Sequence, residues 1–394
     1  MPASRPVIAK PVVVTGQQIG AGWSPALSVV KALAALVEAE RIGAEAVHWL
    51  ADEDHDQVEV ASVVGLEGGR LTRHRFRFHA RPGTAAGWLP WTGAHQREAE
   101  TLWGLVPKAM GTLRDHALAV GGPLWAMGIR PFSPTDAATR EAIQPELERW
   151  RAMDLERDLI AQAEHLEAIG APSPLDPRTQ AAWFSLDPST GARKRLEKES
   201  SLPKGHWLSP GAALRPLMQS LMLPVTAAVL GPSERAYWRL AEPIWARVGL
   251  DAPRIIARPS VFVIPKGARL EIIHLESLKE GDWSRFGASS PPPSSRLPAL
   301  ESDPAWSAAL ARRFEAEMIR SRTRLEKLDR RLSRDTAAAK LGLDPEHLRQ
   351  SLFPFGRDQE RVIPGLFWLR QPALLDRVHA ALRQGGDLLL VEEP

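Results

Sequence analysis

The start of the chain alternates between apolar and polar blocks in a way that predicts a strand, a helix and a second strand. β-Branched residues at Val12–Val14 predict a strand buried on both faces, and it ends in a polar turn that contains glycine. Apolar residues keep helical spacing over 25–44, and a second apolar run follows over 46–50. Such a βαβ unit has parallel strands. The pattern therefore predicts an α/β protein built on a doubly wound parallel sheet.

Further along the chain, the same periodicities predict both strands and helices. Charged and aromatic residues alternate over 74–78, which indicates a strand pair within 57–80 that has one exposed face. Most of 94–168 has helical spacing, with breaks at 121–123 and 131–134. The remaining predictions are a hairpin at 182–186 and 192–197, a helix at 214–223, a core strand at 225–230, a helix from near 235 to 248, and strands at 255–259 and 261–264.

Shifts in composition divide the chain into four predicted regions. These are a core with helical and hairpin insertions at 1–286, a linker rich in Ser and Pro at 287–301, an α-helical coiled-coil arm at 302–352, and a C-terminal segment that returns to the core at 353–394. Heptad spacing places Leu325 and Leu332 on one apolar seam of the arm, which Ser321 and Asp335 interrupt. A short coiled coil is therefore predicted.

The overall composition limits the kinds of function. The chain has 394 residues, of which 44% are hydrophobic and 25% charged, as in an ordinary globular protein. Its net charge of +3 is small, so no nucleic acid is expected as a partner. The absence of cysteine excludes disulfides, thiolate metal sites and a covalent thioester on the chain. No run approaches roughly 18 apolar residues and no apolar leader is present, so we expect no membrane segment and a cytoplasmic location.

The turn after the first strand, Thr15–Gly22, is the first candidate for a binding site. A strand followed by a tight turn and a helix offers backbone N–H groups to an anion at the helix N-terminus. The glycine spacing matches neither the dinucleotide fingerprint nor the Walker A loop. Gln17 and Gln18 add amide donors and acceptors. The alternative is an ordinary strand-to-helix turn.

The second candidate is the acidic loop Glu53–Asp56, which follows the second predicted strand. Glu53, Asp54, His55 and Asp56 are candidate catalytic residues, because carboxylates beside an imidazole can tune a general base or bind a hard cation. Adjacent residues rarely all face one ion, so no metal site is assigned. The alternative is a helix N-cap with acidic residues in its first turn. Since ligands lie beyond the carboxyl ends of parallel strands, the two loops should meet at one edge of the sheet.

Several arginines are candidates for binding carboxylates. Arg215 and Gln219 share one face of a predicted helix, and Arg258 lies at the end of a predicted strand. Arg361 follows an amide and an acidic residue. A guanidinium can hold a carboxylate through two hydrogen bonds. The alternative for each arginine is an ordinary salt bridge.

Together, these residues resemble the BshC family of bacillithiol biosynthesis, the cysteine-adding enzymes. The matching residues are Thr15, Gly16, Gln17, Gln18 and Gly20 with Pro25 and Lys31; Trp49–Ala51 with Glu53–Asp56; Arg215–Gln219 with Pro224; Gly231, Pro232, Glu234, Tyr237 and Trp238; and Gln359, Glu360 and Arg361. Order and spacing agree along nearly the whole chain. Two features depart from the family: its N-terminal helical extension is absent, and the middle and coiled-coil regions are short.

The resemblance implies a Rossmann-like core, related to class I nucleotidyl-transfer folds, with a coiled-coil arm that forms a homodimer. It also implies that L-cysteine and glucosaminyl-malate, both small molecules, condense to bacillithiol. Activation of the carboxylate by ATP with Mg is a hypothesis. No motif in the sequence supports it directly, because no HIGH-like or KMSKS-like signature is present. The expected substrate-binding residues are Thr15, Gly16, Gln17, Gln18, Gly20, Lys31, Arg215, Gln219, Gly231, Glu234, Tyr237, Trp238, Arg258, Gln359, Glu360 and Arg361.

Two other functions are compatible with the same residues. One is a nucleotidyltransferase or hydrolase that uses these loops on another small anionic substrate. The other is a scaffold without catalytic activity, whose coiled coil mediates assembly. A scaffold should tolerate alanine at Glu53, Asp54 and His55, whereas an enzyme should not.

Overall fold

The computed structural model describes residues 10–68, 70–286 and 305–394. Contacts between Cα atoms divide the chain into two compact units. The first unit runs up to Val261 and includes Glu360–Leu389, and the second comprises Phe262–Gln359 and Leu390–Pro394. The predicted linker at 287–301 lies outside the described residues. Residues 262–286, which we predicted to be part of the core, belong instead to the second unit.

Fourteen strands are formed by the described residues: β1 (Val12–Gln17), β2 (Glu45–Leu50), β3 (Ser62–Glu67), β4 (Arg70–Arg75), β5 (Pro90–Trp91), β6 (Gly111–Thr112), β7 (Arg130–Phe132), β8 (Trp183–Leu186), β9 (Arg193–Arg195), β10 (Trp207–Pro210), β11 (Val225–Leu230), β12 (Arg254–Ala257), β13 (Ser260–Ile264) and β14 (Leu388–Glu392).

The same residues form fifteen α-helices: α1 (Leu27–Ile42), α2 (Gln57–Ala61), α3 (Gly93–Trp103), α4 (Leu113–Val120), α5 (Gly122–Ala126), α6 (Ala137–Ala152), α7 (Leu155–Ala168), α8 (Arg215–Met222), α9 (Pro232–Trp238), α10 (Ile244–Val248), α11 (Leu275–Glu280), α12 (Ala308–Leu341), α13 (Pro345–Leu352), α14 (Leu366–Leu369) and α15 (Pro372–Gln384). Short 3-10 turns lie at Ala21–Trp23, Ala86–Trp88, Arg239–Ala241, Ile272–His274, Trp283–Phe286, Pro354–Gly356 and Gln359–Arg361.

The first unit is built on a five-stranded sheet in the order β12-β11-β1-β2-β7. Each neighbouring pair is parallel, and Gly16 on β1 lies opposite Trp49 on β2. The parallel sheet predicted from the sequence is thus confirmed. The fifth strand, β7, was not predicted, because its three residues include a proline and show no alternation.

Both faces of this sheet are covered by helices, as in a doubly wound fold. Helix α1 packs against β1, β2 and β11 on one face. On the other face, Val12, Val14 and Trp49 are fully buried in a core cluster with residues of α6, α7 and α8. Because successive strand residues point to opposite faces, the run Val12–Val14 supplies both cores. Removal of this apolar surface from water is the main force that holds the unit together.

The insertions between the sheet strands confirm some predicted elements and correct others. β8 and β9 form the predicted antiparallel hairpin, with β10 added beside β8. β3 and β4 form the predicted strand pair, but residues 57–61 before it are the helix α2. The helix predicted from near 235 begins at Pro232, whose fixed φ suits a first helical turn, and Arg239–Ala241 divides it in two.

The second unit contains the long helix α12, which has 34 residues. Helix α11 packs against α13, and the turn Trp283–Phe286 packs against α12, which explains why residues 262–286 belong to this unit. Leu310, Ile319, Leu328 and Leu332 of α12 are exposed. The long helix is therefore present, and its pairing into a coiled coil stays a prediction. Within the described residues, no helix has the length and apolar character needed to cross a membrane.

Candidate active site

A cavity of about 520 Å³ lies beyond the carboxyl ends of β1, β2 and β11. This is the position where open parallel sheets bind ligands, and the volume suits a small molecule. The predicted site residues that line it are Thr15, Gly16, Gln17, Gln18, Lys31, Asp54, Arg215, Gln219, Gly231, Glu234, Tyr237, Trp238, Arg258 and Arg361. Trp49 and Glu59 line it as well, and neither was predicted as a site residue. The glycine loop and the acidic loop therefore meet at one edge of the sheet.

Lys31 on α1 joins the glycine loop to helix α9 inside this cavity. Its ammonium Nζ is fully buried and lies 2.7 Å from Oε1 and 2.8 Å from Oε2 of Glu234. It also donates to the Gln17 side chain at 3.2 Å and to the carbonyl oxygen of Gly16. Glu234 in turn accepts the Gly231 N–H at 2.8 Å. A buried cation with these partners fixes the loop against α9.

The two acidic residues at the start of the acidic loop have different roles. Glu53 is completely buried, and its Oε2 accepts from Arg140 Nη2 and from Ser209 Oγ, both at 2.9 Å. It does not line the cavity. Asp54 does, and its Oδ2 lies 3.2 Å from Arg215 Nη2. Arg215 Nε is also 3.5 Å from Glu53 Oε1, so one arginine joins both carboxylates.

These arginines keep both carboxylates ionised. Burial by itself would raise the pKa of Glu53, but the charges of Arg140, Arg193 and Arg215 outweigh it and lower that pKa. Burial likewise tends to raise the pKa of Asp54, but the charges of Arg215 and Arg193 outweigh it and lower that pKa to about 2. A carboxylate with so low a pKa is a weak base at neutral pH.

His55 points away from the cavity and into a separate contact. Arg193 Nη1 donates to its Nδ1 at 3.1 Å, and the ring lies 5.3 Å from that of Phe184. Burial and then the charge of Arg193 lower the pKa of His55. With Nδ1 accepting a hydrogen bond, the neutral ring carries its proton on Nε2. The predicted role of His55 as a general base in the cavity therefore does not fit this geometry.

Asp56 caps the N-terminus of α2. Its Oδ1 accepts the N–H groups of Val58 and Glu59, each at 3.0 Å. The alternative interpretation of the acidic loop, a helix N-cap, is therefore correct for Asp56. The cap places Glu59 in the first turn of α2, where its side chain lines the cavity and is accessible to solvent.

The C-terminal motif is divided between structural contacts and the cavity. Arg258 Nη1 donates to Glu360 Oε1 at 2.6 Å, and Glu360 Oε2 accepts the Val261 N–H at 3.0 Å. Gln359 instead bonds the backbone of Val263 through both ends of its amide, at 3.0 and 3.3 Å. Glu360 and Gln359 thus position their neighbours and do not line the cavity. Arg361 and the guanidinium of Arg258 do line it.

The backbone N–H groups at the N-terminus of α1, which we predicted to bind an anion, mostly donate to carbonyl oxygens of the chain itself. The 3-10 turn Ala21–Trp23 separates β1 from α1, so the helix does not follow the loop directly. The N–H of Ala26 donates to Ile363, and the N–H of Ser28 donates to Pro25. Gly20 packs in this turn, where a Cβ would lie 2.9 Å from the Ser24 carbonyl oxygen, and it does not line the main cavity.

Three buried polar atoms of residues that line the cavity have no hydrogen-bond partner. They are Nε1 of Trp49, whose side chain is fully buried, Oε1 of Gln219, which is 8% exposed, and Nε of Arg215, which lies 3.5 Å from Glu53 Oε1. The Trp49 indole edge lies along Gly16, where an added Cβ would be 3.5 Å from Cδ1, the ring atom bonded to Nε1. A buried unpaired polar group costs free energy, which a hydrogen bond to a polar ligand or to a water would lower.

Among the described residues, no three His, Asp or Glu side chains converge in a way that could hold a metal ion. The described part of the chain contributes supporting residues that the sequence analysis missed, namely Arg140, Arg193 and Ser209, which hold the acidic loop from α6 and from the β8–β10 sheet. Nothing in their local sequence identified these partners, which lie far away along the chain. Glu59 could have been predicted from the sequence, since it follows a capping aspartate in a first helical turn.

Comparisons with known proteins give the same family as the motifs. The family model described as bacillithiol biosynthesis BshC, N-terminal Rossmann-like domain, matches residues 152–259. Two relatives, each named "Putative cysteine ligase BshC", come from two strains of Thermus thermophilus. Each is 29% identical over 436 aligned residues, which cover 95% of this chain and 86% of the relative.

A third relative of the same name comes from Geobacillus thermodenitrificans. It is 24% identical over 340 aligned residues, which cover 71% of this chain and 62% of the relative. The alignment with the Thermus proteins thus extends over nearly the whole chain, well beyond the part that the family model matches. The comparisons confirm the resemblance that the loops predicted, and they relate this chain to the BshC family.

Proposed function

We propose that this chain is a carbon–nitrogen ligase that joins the carboxyl group of L-cysteine to the amine of glucosaminyl-malate, the last step of bacillithiol biosynthesis. The observation that carries this proposal is the cavity at the sheet edge, which combines Arg215, Arg258 and Arg361 with buried unpaired polar atoms. Both substrates carry carboxylates, which guanidinium groups bind well. The relatives named as cysteine ligases support the same reaction.

Amide formation requires two changes in the reactants. The amine must lose a proton, so that its nitrogen lone pair can form the new bond to the carboxyl carbon. One carboxyl oxygen must leave as that bond forms, which a free carboxylate does not allow at a useful rate. The residues that surround the cavity bind and orient both partners, and proximity alone can supply a large part of the rate.

ATP with Mg remains a proposal for carboxylate activation. The lining includes Arg258, Arg361 and the unpaired N–H of Trp49, and these donors fit phosphate oxygens as they fit carboxylates. ATP would supply the driving force for displacement of the carboxyl oxygen. The homodimer and the cytoplasmic location are likewise proposals that follow from the family resemblance.

The test is to incubate the purified chain with L-cysteine, glucosaminyl-malate and ATP, and to measure bacillithiol by mass spectrometry. Product should form and should require both substrates. Absence of product, with the chain folded and saturated with substrates, would count against the ligase. Product that forms without ATP hydrolysis would exclude ATP as the activating nucleotide and leave the ligase intact.

A matched pair of variants separates the ligase from the scaffold. Arg215→Ala removes a cation that lines the cavity, whereas Arg235→Ala removes an exposed cation on α9 that does not line it. A ligase should lose at least about tenfold in kcat/KM with the first variant, since a charged hydrogen bond contributes roughly 1.5–3 kcal/mol. It should change little with the second. Equal effects of the two substitutions would favour the scaffold.

A further inference from the structure

Amide formation by the proposed function needs a group that takes a proton from the amine. At neutral pH a primary amine with a pKa of about 8 is mostly an ammonium ion, which has no lone pair for attack. Three carboxylates line the cavity, those of Asp54, Glu59 and Glu234. The question is which of them is available to accept the proton.

Two of these carboxylates are already paired with cations. Asp54 Oδ2 accepts from Arg215 at 3.2 Å, while its Oδ1 accepts the His55 N–H at 2.8 Å. Glu234 accepts from Lys31 with both oxygens, at 2.7 and 2.8 Å. A proton added to either carboxylate would weaken an ion pair that holds the site together. Both carboxylates therefore have their oxygens engaged in contacts within the protein.

The imidazole of His55 is also unavailable. Its Nδ1 accepts a hydrogen bond from Arg193 at 3.1 Å, and the side chain is not part of the cavity lining. The neutral ring then has its proton on Nε2 and no free lone pair to offer. The acidic loop that carries the family motif thus provides no free base.

Glu59 differs from all of these groups. Within the described residues, its carboxylate forms neither an ion pair nor a side-chain hydrogen bond. Asp56 caps α2 and so fixes the backbone of Glu59, with its oxygen 3.0 Å from the Glu59 N–H. The side chain lines the cavity and is accessible to solvent, so a proton that it accepts can pass to water.

We propose that Glu59 is the catalytic general base, which accepts the proton of the substrate ammonium in the cavity. The proton moves from the ammonium nitrogen to a carboxylate oxygen of Glu59, and the freed lone pair forms the carbon–nitrogen bond. The bond between the carboxyl carbon and its activated oxygen breaks at the same centre, that oxygen leaves with the phosphate or nucleotide supplied by ATP, and the second amine proton passes to the leaving group or to water. The proton then leaves from Glu59 to solvent, which restores the carboxylate. This role rests on the proposed ligase function and adds to it the residue that performs the proton transfer.

The charges around Glu59 suit this role. Partial burial, and then the negative charges of Asp54 and Asp56, raise the pKa of Glu59 and make it a stronger base than an ordinary glutamate. The other charged groups that line the cavity are Arg215, Arg258, Arg361 and the Lys31–Glu234 pair. None of these is within ion-pair distance of Glu59 in the described part of the chain.

The test compares the pH profiles of the wild type, Glu59→Gln and Glu59→Asp in the bacillithiol assay. Between the pKa of Glu59 and the pKa of the amine, the wild type should have a flat kcat/KM, whereas that of Glu59→Gln should follow the small fraction of free amine. The ratio of the two rates should be about 10²–10⁴ at the acid end of this range. It should shrink about tenfold for each pH unit up to the pKa of the amine, since free amine then no longer needs a base. Glu59→Asp should keep the flat profile at a lower rate.

The control is Glu276→Gln, which removes an exposed glutamate from the first turn of another short helix, α11. It should match the wild type at every pH. A loss in Glu59→Gln that is the same at all pH values, or no loss, would overturn the assignment of Glu59 while leaving the ligase in place. A wild type that forms no product at any pH would overturn the proposed function, and the role of Glu59 with it.

Discussion

Arg193 donates a hydrogen bond from Nη1 to Nδ1 of His55 at 3.1 Å, and this contact turns the histidine of the acidic loop away from base catalysis. Arg193 lies on β9 in the predicted hairpin, and its other donors bond Ser209 Oγ and the Pro210 carbonyl. Its guanidinium carbon is also 3.9 Å from the centre of the Phe184 ring. Four contacts hold one side chain, so the orientation of His55 is fixed by the hairpin.

Removal of the Arg193 charge should raise the pKa of His55. Burial and Arg193 both lower that pKa, while Asp54 raises it, so loss of the arginine leaves less opposition to protonation. Arg193→Met should therefore raise the pKa relative to the wild type, as followed by NMR of the imidazole resonances. Arg193→Lys keeps a positive charge and should give a smaller rise. A pKa that falls or stays constant in Arg193→Met would contradict the assigned contact.

The buried histidines should make the fold sensitive to mild acid. Burial lowers the pKa of His116 to about 3, and burial with the charge of Lys31 does the same for His48. The unfolded chain binds these protons below about pH 6.5 and the folded chain does not, so stability is present above that pH and is lost as pH falls. Each histidine should remove about 1.4 kcal/mol of unfolding free energy per pH unit.

The window from about pH 6.5 to 5 isolates this effect, because ordinary carboxylates titrate at lower pH. His116→Gln keeps an acceptor for the Gly22 N–H, which His116 Nε2 accepts at 3.0 Å. Chemical denaturation of this variant across the window should show a pH slope smaller by about one proton. An unchanged slope would mean that His116 is protonated in the folded chain.

Gly16 should not tolerate a side chain. An added Cβ would lie 3.1 Å from both Cβ and the carbonyl oxygen of Trp49, so β2 or the indole must shift. Gly16→Ala should lower the unfolding free energy by about 1–3 kcal/mol and reduce kcat/KM, since Lys31 also bonds this residue. Gly122→Ala is the control, because nothing lies within 4 Å of its added Cβ. Equal unfolding midpoints of the two variants would contradict the close approach.

The unpaired oxygen of Gln219 predicts opposite effects on stability and on binding. Gln219→Leu removes a buried acceptor that has no partner, so the unfolding free energy should stay constant or rise by up to about 1 kcal/mol. The ligand should lose the acceptor that it meets in the cavity, so its Kd should rise roughly tenfold. Calorimetric titration with glucosaminyl-malate and denaturant unfolding measure the two effects.

Gln144 provides the matched control for this prediction. Its Oε1 accepts the Leu208 N–H at 2.6 Å, and its Nε2 donates to the Arg140 carbonyl at 3.2 Å. Gln144→Leu leaves the Leu208 N–H without this partner and should cost about 1–3 kcal/mol. If Gln219→Leu were destabilising to the same degree, its oxygen would have a partner in the folded chain.

The sequence was sufficient to predict the sheet edge, because its two signals are local. Each buried strand is an apolar run, and each candidate loop follows directly where the run ends. Parallel pairing then brings Gly16 and Asp54 to one edge whatever lies between them in sequence. This is why the cavity contains most of the residues that the motifs predicted.

The directions of neighbouring side chains could not be predicted in the same way. Beyond the end of β2 the chain loses strand periodicity, so nothing local tells that Asp54 lines the cavity while Glu53 and His55 do not. These directions are set by Arg140 and Arg193, which lie 87 and 138 residues from their partners along the chain. Contacts over such separations leave no periodic signal in a single sequence.

Residues that lie far apart in the sequence line the cavity, from Thr15 on β1 to Arg361 near the start of the C-terminal segment. β1 is also paired with β11, where Val12 lies opposite Val225. Because synthesis runs from the N-terminus, β1 can pair with β2 early, whereas its other neighbour, β11, is made much later. A nascent chain that ends before Glu360 lacks both the anchor of Arg258 and the last arginine of the cavity. The full set of cationic residues that line the cavity therefore forms only after the chain has been synthesised at least to Arg361.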